Sequence, residues 1–465
     1  MVLTSQTSAK PTHRNKKRQG GEGGSRDADQ REFKPGLAAR LAAAKILAAV
    51  LDKKTSLDGM MDSEHGNPAY RALSHADRAL VRAIVNSALR HLPRIEAALS
   101  ILLDDPLPQG ARSLHHVLVV AVAQMLHLDV PDHSAVDLAV EQAHRDPRNR
   151  RFVKLVNAVL RRLGREKDGV IDSISNVPVI PEWFFQRLKD TYGEAAAMQM
   201  AEAQLIPSSI DITVKSDADG WASKLNGVVM PNGSVRLGAF DGAVSSLEGF
   251  DDGEWWVQDF SASMPVKLMG DIKGKRVADL CAAPGGKTAQ LVLAGADVTA
   301  LDQSGNRLKR LRENLGRLRF YAQTIECNMM KFQPDELFDA VLLDAPCSST
   351  GTLRKHPDVV WTKDEGDIKK LASLQEQMLR HAATLVKAGG LLVFSNCSLD
   401  PSEGEDMVAR VLETDASLER VAVRPEILPG MESAINQSGD LRTTPDMFGG
   451  VDGFYAAILQ KREAI

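Results

Sequence analysis

The last two hundred residues of the chain alternate short apolar runs with helical segments, and this pattern restricts the fold more than any other feature. The runs VADL, VTAL, AVLLD and LLVFS begin at Val277, Val298, Ala340 and Leu391. Apolar strands that alternate with helices are typical of a doubly wound parallel sheet with helices on both faces. The pattern therefore predicts a C-terminal α/β Rossmann-like domain over residues 266–465, with its site at the carboxyl ends of the strands.

The chain has 465 residues, a length that favours about three domains. Residues 35–168 have apolar side chains at helical spacing and predict an all-α domain. One of its helices is expected to begin at Ser74, in a capping-box-like sequence, and to end or kink at Pro93. Residues 169–265 combine a short helix, the strand-like IDITV and turn signals, and predict a small α+β linker domain.

The segment 1–34 is polar, Gly-rich and basic, so we expect a disordered tail. The longest apolar stretch, Val117 to Leu126, has about half the length that a membrane span needs, and the N-terminus lacks the apolar core of a signal peptide. The four cysteines lack metal-type spacing. We therefore expect a cytoplasmic protein with no membrane span, no metal site and no disulfide scaffold.

A dense cluster of arginine and lysine surrounds the last helix of the all-α region. Its members are Arg145, Arg148, Arg150, Arg151, Lys154, Arg161, Arg162 and Arg165. The net charge of the whole chain is -4, so a polyanion has to be bound by a local patch of this kind. The cluster favours contact with RNA phosphates, and a plain solvated basic face is the alternative.

The segment VADLCAAPGGKTAQL, from Val277 to Leu291, predicts a strand, a tight glycine turn and a helix. It matches neither the dinucleotide fingerprint nor the triphosphate loop, so a smaller nucleoside ligand fits it better. Asp302 ends the next strand, where a carboxylate can accept hydrogen bonds from ribose hydroxyls. An Asp that only caps the following turn is the other interpretation.

Two cysteines, Cys347 and Cys397, each follow a predicted buried strand. Because parallel strands present their carboxyl ends on one edge of a sheet, both thiols are expected at the site. Free cysteines are also common as small buried apolar residues. The residues alone do not say which thiol would react.

Several motifs in order resemble the Sun (Fmu) family of S-adenosylmethionine-dependent RNA cytosine-5 methyltransferases. They are DLCAAPGGKT, DAPCSSTG, HPDVVW, NCSLDPSE and GGVDGFYAAIL, within residues 181–461. The helical region, with LSHADRALVRAIVNSALR and RRFVKLVNAVLRRL, resembles the NusB-like RNA-binding domain of the bacterial branch that modifies small-subunit ribosomal RNA. The resemblance therefore implies an RNA methyltransferase with an N-terminal NusB-like domain.

The resemblance also implies a set of cofactor-binding residues. The loop that would wrap the methionine part of S-adenosylmethionine consists of Cys281, Ala282, Ala283, Pro284, Gly285, Gly286 and Lys287. Asp302 would bind the ribose, and Asp344 would border both cofactor and target base. Asn328 stands where the family usually has Asp near the adenine, and its amide oxygen can still accept a hydrogen bond.

Methylation at carbon 5 of cytosine needs a nucleophile at carbon 6, because addition there makes carbon 5 reactive, and a thiolate is suited to this. An acid that protonates or hydrogen bonds ring N3 stabilises the charge that develops, and Asp344 is our candidate. The family resemblance assigns the attack to Cys397 and product release to Cys347. Asn396 replaces the Thr that usually precedes the attacking cysteine. HPDVVW, from His356, is expected in a loop that faces RNA.

The substrate implied by the resemblance is a cytidine of small-subunit ribosomal RNA, bound by a protein that we expect to be monomeric. Transfer RNA methylated by the same chemistry is an alternative. Two further alternatives are an RNA-binding assembly factor with a degenerate methyltransferase fold and a small-molecule methyltransferase. The intact Cys347, Cys397, Asp344 and Asp302 argue against degeneracy, and the basic cluster argues against a small substrate.

Overall fold

Apolar residues on one face of each helix build the first part of the protein. The computed structural model describes residues 34–240 and 242–463, so the predicted tail, apart from Lys34, lies outside the described residues. The first eight helices are α1 (Leu37–Lys53), α2 (Leu57–Met60), α3 (Pro68–Arg71), α4 (His75–Arg90), α5 (Leu92–Leu102), α6 (Arg112–His127), α7 (Asp132–Arg145) and α8 (Val153–Ile174). Helix α6 is buried over nearly its whole length and forms the centre of this core.

The predicted helix signals are found where the sequence places them. The backbone N–H of Asp77 donates to Ser74 Oγ at 3.1 Å, which caps α4, and Pro93 lies in the first turn of α5. Helix α8 continues to Ile174, so the predicted boundary at residue 168 falls inside it, just after a kink at Glu166. The expectation of an all-α N-terminal domain is confirmed.

The middle part contains two helices followed by a small sheet. Its elements are α9 (Glu182–Tyr192), α10 (Glu194–Ala203), β1 (Asp211–Val214), α11 (Ala218–Lys224), β2 (Val228–Val229), β3 (Val235–Arg236) and β4 (Trp255–Val257). The four strands are antiparallel in the order β2-β3-β1-β4. Trp255 is buried in the core of this small sheet, whereas Trp256 is buried against the C-terminal part, with its ring centre 6.2 Å from that of Phe320.

The C-terminal part is a large sheet flanked by helices. Its elements are α12 (Met264–Lys267), β5 (Arg276–Asp279), α13 (Gly286–Leu293), β6 (Asp297–Asp302), α14 (Gly305–Arg317), β7 (Gln323–Glu326), β8 (Phe338–Asp344), α15 (Val359–Thr362), α16 (Glu365–Thr384), β9 (Val386–Asn396), α17 (Glu405–Thr414), β10 (Leu418–Val421), β11 (Leu441–Thr443) and β12 (Phe454–Lys461). The strand order is β10-β12-β9-β8-β5-β6-β7, with β11 beside β12.

The sheet is mixed rather than wholly parallel. Strands β5 to β9 are parallel, as the alternating pattern predicts, but β12 lies antiparallel between β9 and β10. From β5 the chain moves outward to β6 and β7, and then returns to β8 on the other side of β5. The carboxyl ends of β5 and β8 therefore flank the point where the strand order reverses, which is where open α/β sheets bind ligands.

The loop that carries HPDVVW packs against the helical domain, and its RNA-facing position stays a prediction. His356 Nδ1 lies 3.2 Å from Asp58 Oδ2, and the backbone N–H of Leu57 donates to Asp358 Oδ2 at 2.8 Å. The Trp361 indole N–H donates to the carbonyl oxygen of Leu89 at 3.1 Å. Tertiary packing of this kind leaves no periodic signal in the sequence.

A membrane-spanning helix needs about 20 consecutive, predominantly apolar residues. Within residues 34–240 and 242–463, no helix is both long and apolar enough to cross a bilayer.

Candidate active site

The glycine turn after β5 depends on one backbone conformation. Gly285 has a φ of +104°, and a Cβ atom there would lie 3.0 Å from Leu311 Cγ. A residue with a side chain is strained at this φ, so only glycine turns the chain this tightly into α13. The turn brings Lys287, in the first turn of α13, towards the end of β8.

Lys287 and Asp344 form an ion pair across the strand-order reversal. Lys287 Nζ lies 2.7 Å from Asp344 Oδ2, and Ser395 Oγ donates to Asp344 Oδ1 at 2.8 Å. Lys287 Nζ also lies 5.1 Å from the centre of the Phe454 ring. Together with Phe454, the pair places a cation, a carboxylate and an aromatic ring next to one another in the site.

The two predicted reactive thiols are in contact. Cys397 directly follows β9 and Cys347 lies three residues beyond β8, and these neighbouring parallel strands bring the two Sγ atoms to 3.5 Å. Both cysteines are free. The sulfur atoms are too far apart for a disulfide and close enough for an S–H···S hydrogen bond.

The contact makes the two thiols electrostatically unequal. A hydrogen bond from Cys347 lowers the pKa of Cys397 in spite of its burial. The same hydrogen bond, with burial, raises the pKa of Cys347. The opposite directions of these shifts make Cys397 the more readily ionised thiol of the pair.

A buried polar network that sequence reasoning missed lies next to the thiols. Ser348 Oγ and Ser398 Oγ both donate to Glu403 Oε2, at 2.5 and 2.6 Å. The Asn396 amide N–H donates to the Glu403 carbonyl oxygen at 2.7 Å, and its Oδ1 accepts from Ser398 N–H at 2.9 Å. Asn396 therefore holds the loop after β9 by local hydrogen bonds. The signal available in the sequence was the serine that directly follows each cysteine.

One cavity joins the predicted nucleoside residues to the thiols. It has a volume of about 270 Å³ and is lined by residues that include Cys281, Asp302, Asn328, Asp344, Cys347 and Cys397. Asp302 is 3% exposed, accepts from the backbone N–H of Ser304 at 2.9 Å and lies 3.3 Å from Arg307 Nη1. It therefore caps the turn as well as lining the cavity.

Asn328 uses its side chain locally. Its Oδ1 accepts a hydrogen bond from the backbone N–H of Met330 at 2.9 Å. The atom predicted to accept from the adenine amino group already has a backbone partner and keeps one lone pair for a ligand. Burial raises the pKa of the neighbouring Cys281, which therefore stays a thiol.

A second cavity, of about 380 Å³, lies against the glycine turn. Its lining includes Trp256, Gln258, Asp279, Gly285, Lys287 and Asp344. Sequence reasoning missed Asp279, the last residue of β5. Thr288 Oγ1 donates to its Oδ2 at 2.7 Å, burial raises its pKa to about 7, and its Oδ1 has no hydrogen-bond partner among the described residues. An acidic residue directly before the turn was the available signal.

Metal binding needs several ligating side chains in one place. Across residues 34–240 and 242–463 no group of three or more His, Cys, Asp or Glu side chains is arranged to hold a metal ion.

Known proteins share this architecture. A methyltransferase homolog protein from Pyrococcus horikoshii has a TM-score of 0.51 and 26% sequence identity, and the match covers 59% of this chain and 93% of that protein. The structure of PH0851 has a TM-score of 0.67 at 21% identity, covering 93% of this chain and 100% of that one, and supports the fold alone.

Sequence relatives identify the family. Ribosomal RNA small subunit methyltransferase B of Vibrio vulnificus (strain YJ016) is 34% identical over 449 residues, which cover 91% of this chain and 99% of that protein. The enzyme of that name from Serratia proteamaculans (strain 568) is 32% identical and covers 85% of this chain and 94% of its own. The NusB family model matches residues 37–165, and the model described as 16S rRNA methyltransferase RsmB/F matches residues 268–460. The resemblance is confirmed: the chain belongs to the RsmB/F (Sun or Fmu) family of 16S rRNA methyltransferases, whose cofactor is S-adenosylmethionine.

Proposed function

We propose that this protein methylates carbon 5 of a cytidine in 16S ribosomal RNA through a covalent bond between Cys397 and carbon 6 of the base. The observation that carries the proposal is the single cavity that contains both thiols, Asp344 and the nucleoside-type carboxylate Asp302. Ribosomal RNA as the substrate rests on the names of the relatives.

The two cavities, which share Cys281 and Asp344 in their linings, together suit the cofactor. The turn from Cys281 to Lys287 would hold the methionine part, and Asp302, buried at the end of β6, would accept from the ribose hydroxyls. Asp279 Oδ1, which has no partner among the described residues, is available for the ammonium group of the methionine part. S-adenosylmethionine, when bound, supplies the electrophilic methyl group that carbon 5 takes up.

Attack begins at Cys397, whose lowered pKa favours the thiolate. Its sulfur bonds to carbon 6, and negative charge develops on the ring. The Lys287–Asp344 pair, in which the ammonium donates to the carboxylate, passes a proton to N3 and neutralises that charge. Carbon 5 is then an enamine carbon that can accept a methyl group.

Release uses Cys347. Once the Cys397 sulfur is bonded to carbon 6, it no longer bears the charge that raises the pKa of Cys347. Cys347 then loses its proton to solvent and takes the proton from carbon 5, while the bond from carbon 6 to sulfur breaks. N3 returns its proton to the Lys287–Asp344 pair, and both thiols regain their starting states.

The exposed basic side chains of two helices, α8 and α14, are the proposed contacts to RNA phosphates. Helix α8 buries Val156, Val159 and Leu160 and leaves its basic side chains in solvent. Those exposed on and just before this helix are Arg148, Arg150, Arg151, Lys154, Arg161 and Arg165. The basic helix α14 has a similar exposed face, followed by Tyr321, which is 85% exposed and free to stack on a base.

The direct test is to incubate the protein with a 16S ribosomal RNA transcript and S-adenosylmethionine labelled in its methyl group. We expect the label in 5-methylcytidine after digestion to nucleosides. Label in another nucleoside would contradict the chemistry, and label in transfer RNA but not in ribosomal RNA would contradict the substrate.

A further inference from the structure

Glu403 is a buried carboxylate that hydrogen bonds to both thiol loops, the segments after β8 and β9 that carry Cys347 and Cys397. Its side chain is 0% exposed and accepts four hydrogen bonds. Oε1 accepts from the backbone N–H of Ser348 and from Gln375 Nε2, each at 2.9 Å, and Oε2 accepts from Ser348 Oγ and Ser398 Oγ. Every oxygen lone pair of the carboxylate therefore has a partner.

The partners of Glu403 are the immediate neighbours of the thiols. Ser348 follows Cys347 and Ser398 follows Cys397, so a single side chain joins the loops after β8 and β9. The two serine hydroxyls also lie 3.1 Å apart. A shift of Glu403 would consequently move both loops relative to each other.

Stability alone does not explain a charged residue at this position. No ion pair with Glu403 is found in the described part of the chain, and burial raises its pKa. A buried charge without a cationic partner costs free energy that a neutral side chain of the same shape would avoid. The residue is therefore better explained by the hydrogen bonds that it accepts than by packing.

We propose that Glu403 is a positioning residue for the reaction: by bonding Ser348 and Ser398 it holds the sulfur atoms of Cys347 and Cys397 in contact. The inference rests on the proposed function, because it assigns a purpose to the thiol contact. Glu403 touches neither thiol and acts through the two serines.

The charge of Glu403 supports the same arrangement. It is one of the causes that raise the pKa of Cys347, after the hydrogen bond to Cys397 and burial. A protonated Cys347 can donate to Cys397. The charge of Glu403 therefore helps to keep Cys347 protonated and leaves Cys397 as the more readily ionised thiol.

The test compares Glu403→Ala, Glu403→Gln and wild-type full-length protein in forming the covalent adduct. The RNA probe carries 5-fluorocytidine at the target position, because fluorine at carbon 5 cannot leave as a proton and the adduct persists. The rate of adduct formation is measured at saturating RNA and cofactor. The dissociation constant of S-adenosylmethionine and the thermal unfolding midpoint are measured on the same samples.

We expect Glu403→Ala to slow adduct formation about a hundredfold, as loss of reactive geometry does, with cofactor affinity nearly unchanged. Glu403→Gln should stay within about tenfold of wild type, because its amide can donate to both serine hydroxyls and accept from Ser348 N–H. A rate of adduct formation that is retained in Glu403→Gln and lost in Glu403→Ala would show that the hydrogen bonds of residue 403 position the thiols. A merely structural role would lower adduct formation and cofactor affinity together.

The matched control is Asp440→Asn. Asp440 is also 0% exposed and accepts from Tyr455 Oη at 2.6 Å, but it contacts neither thiol loop. Its substitution should leave the rate of adduct formation near that of wild type. If Glu403→Ala does not fold, the double variant Ser348→Ala and Ser398→Ala tests the same hydrogen bonds and should slow adduct formation.

Adduct formation at the wild-type rate in a folded Glu403→Ala protein, or in the double serine variant, would overturn the inference. Failure of the proposed function gives a different result. In that case Cys397→Ala would still form the adduct, or wild-type protein would form none, whatever the Glu403 variants do.

Discussion

The sulfur atom of Cys347 lies 3.5 Å from that of Cys397, at the carboxyl ends of two neighbouring parallel strands. A thiol donor stabilises an adjacent thiolate, so this pair gives up its first proton more easily, and its second less easily, than an isolated thiol does. The directions of the two pKa shifts make Cys397 the thiol that ionises more readily.

Substitution of each cysteine should give opposite results. Cys397→Ala is expected to abolish methylation and the adduct, since the nucleophile is gone. Cys347→Ala should form the adduct but release it slowly, because the group that takes the carbon 5 proton is missing. A denaturing gel of protein mixed with labelled RNA separates the two outcomes. An adduct that requires Cys347 and forms without Cys397 would reverse the assignment.

The pH dependence of alkylation should report the hydrogen bond between the thiols. That bond lowers the pKa of Cys397, so in wild type Cys397 reacts with iodoacetamide at a lower pH than an ordinary thiol. In Cys347→Ala the donor is lost, and the midpoint of the alkylation profile should move to higher pH. Mass spectrometry identifies the modified residue, and Cys327→Ser, which leaves the pair intact, is the control. An unchanged midpoint in Cys347→Ala would contradict this account.

Lys287 and Asp344 are expected to act as a unit. If the pair supplies the proton to N3, Lys287→Met and Asp344→Asn should each lower the turnover number about a hundredfold. The double variant should be little worse than either single one, because residues that act together are not additive. Single-turnover methylation rates at saturating cofactor measure this. If the loss of turnover number in the double variant equalled the product of the two single losses, Lys287 and Asp344 would have independent roles.

The conformation of Gly285 should matter to cofactor binding. Gly285→Ala places a Cβ at a φ of +104° and 3.0 Å from Leu311, and it should destabilise the fold by about 1–3 kcal/mol. Its affinity for S-adenosylmethionine, measured by calorimetry, should also fall. Gly295, with a φ of +83° and a distant position after α13, provides the matched variant Gly295→Ala. Equal losses of cofactor affinity in both variants would argue against a specific role for the turn.

The exposed face of α8 should contribute to RNA affinity. Charge reversal at Arg161 and Arg165 removes phosphate contacts, so binding should weaken and depend less on salt, by about one unit of slope per lost contact. Filter binding at several salt concentrations gives both quantities. Lys369 and Lys370, exposed on α16, provide a control with the same change of charge. Equal weakening in the two double variants would indicate a non-specific effect of charge.

Local sequence patterns predicted the parts of the site that lie along single elements. The apolar runs before Cys347 and Cys397 indicated strands, and parallel strands place their ends on one edge, so the thiol contact followed from topology. The glycine turn before Lys287 was predicted for the same reason: its geometry is encoded within a few residues.

The rest depended on contacts between segments that are far apart in the chain. Glu403 looked like an ordinary acidic residue in a polar loop, and only the fold buries it against Ser348, 55 residues away. The antiparallel orientation of β12 between β9 and β10 was not predicted, because the direction of strand pairing depends on the connection and not on residue type. The contact between His356 and Asp58 was not predicted, because the sequence carries no sign of that partner.

The docking of the HPDVVW loop on the helical domain has a consequence for the choice of target. The loop begins a few residues after Cys347 and is bonded to Leu57, Asp58 and Leu89 of the helical domain. The basic face of α8 and the thiols are therefore linked through packed structure instead of a free tether. Under the proposed function, the protein would therefore methylate the cytidine that lies at a fixed distance from the phosphates bound by α8, because that distance is set by packed structure.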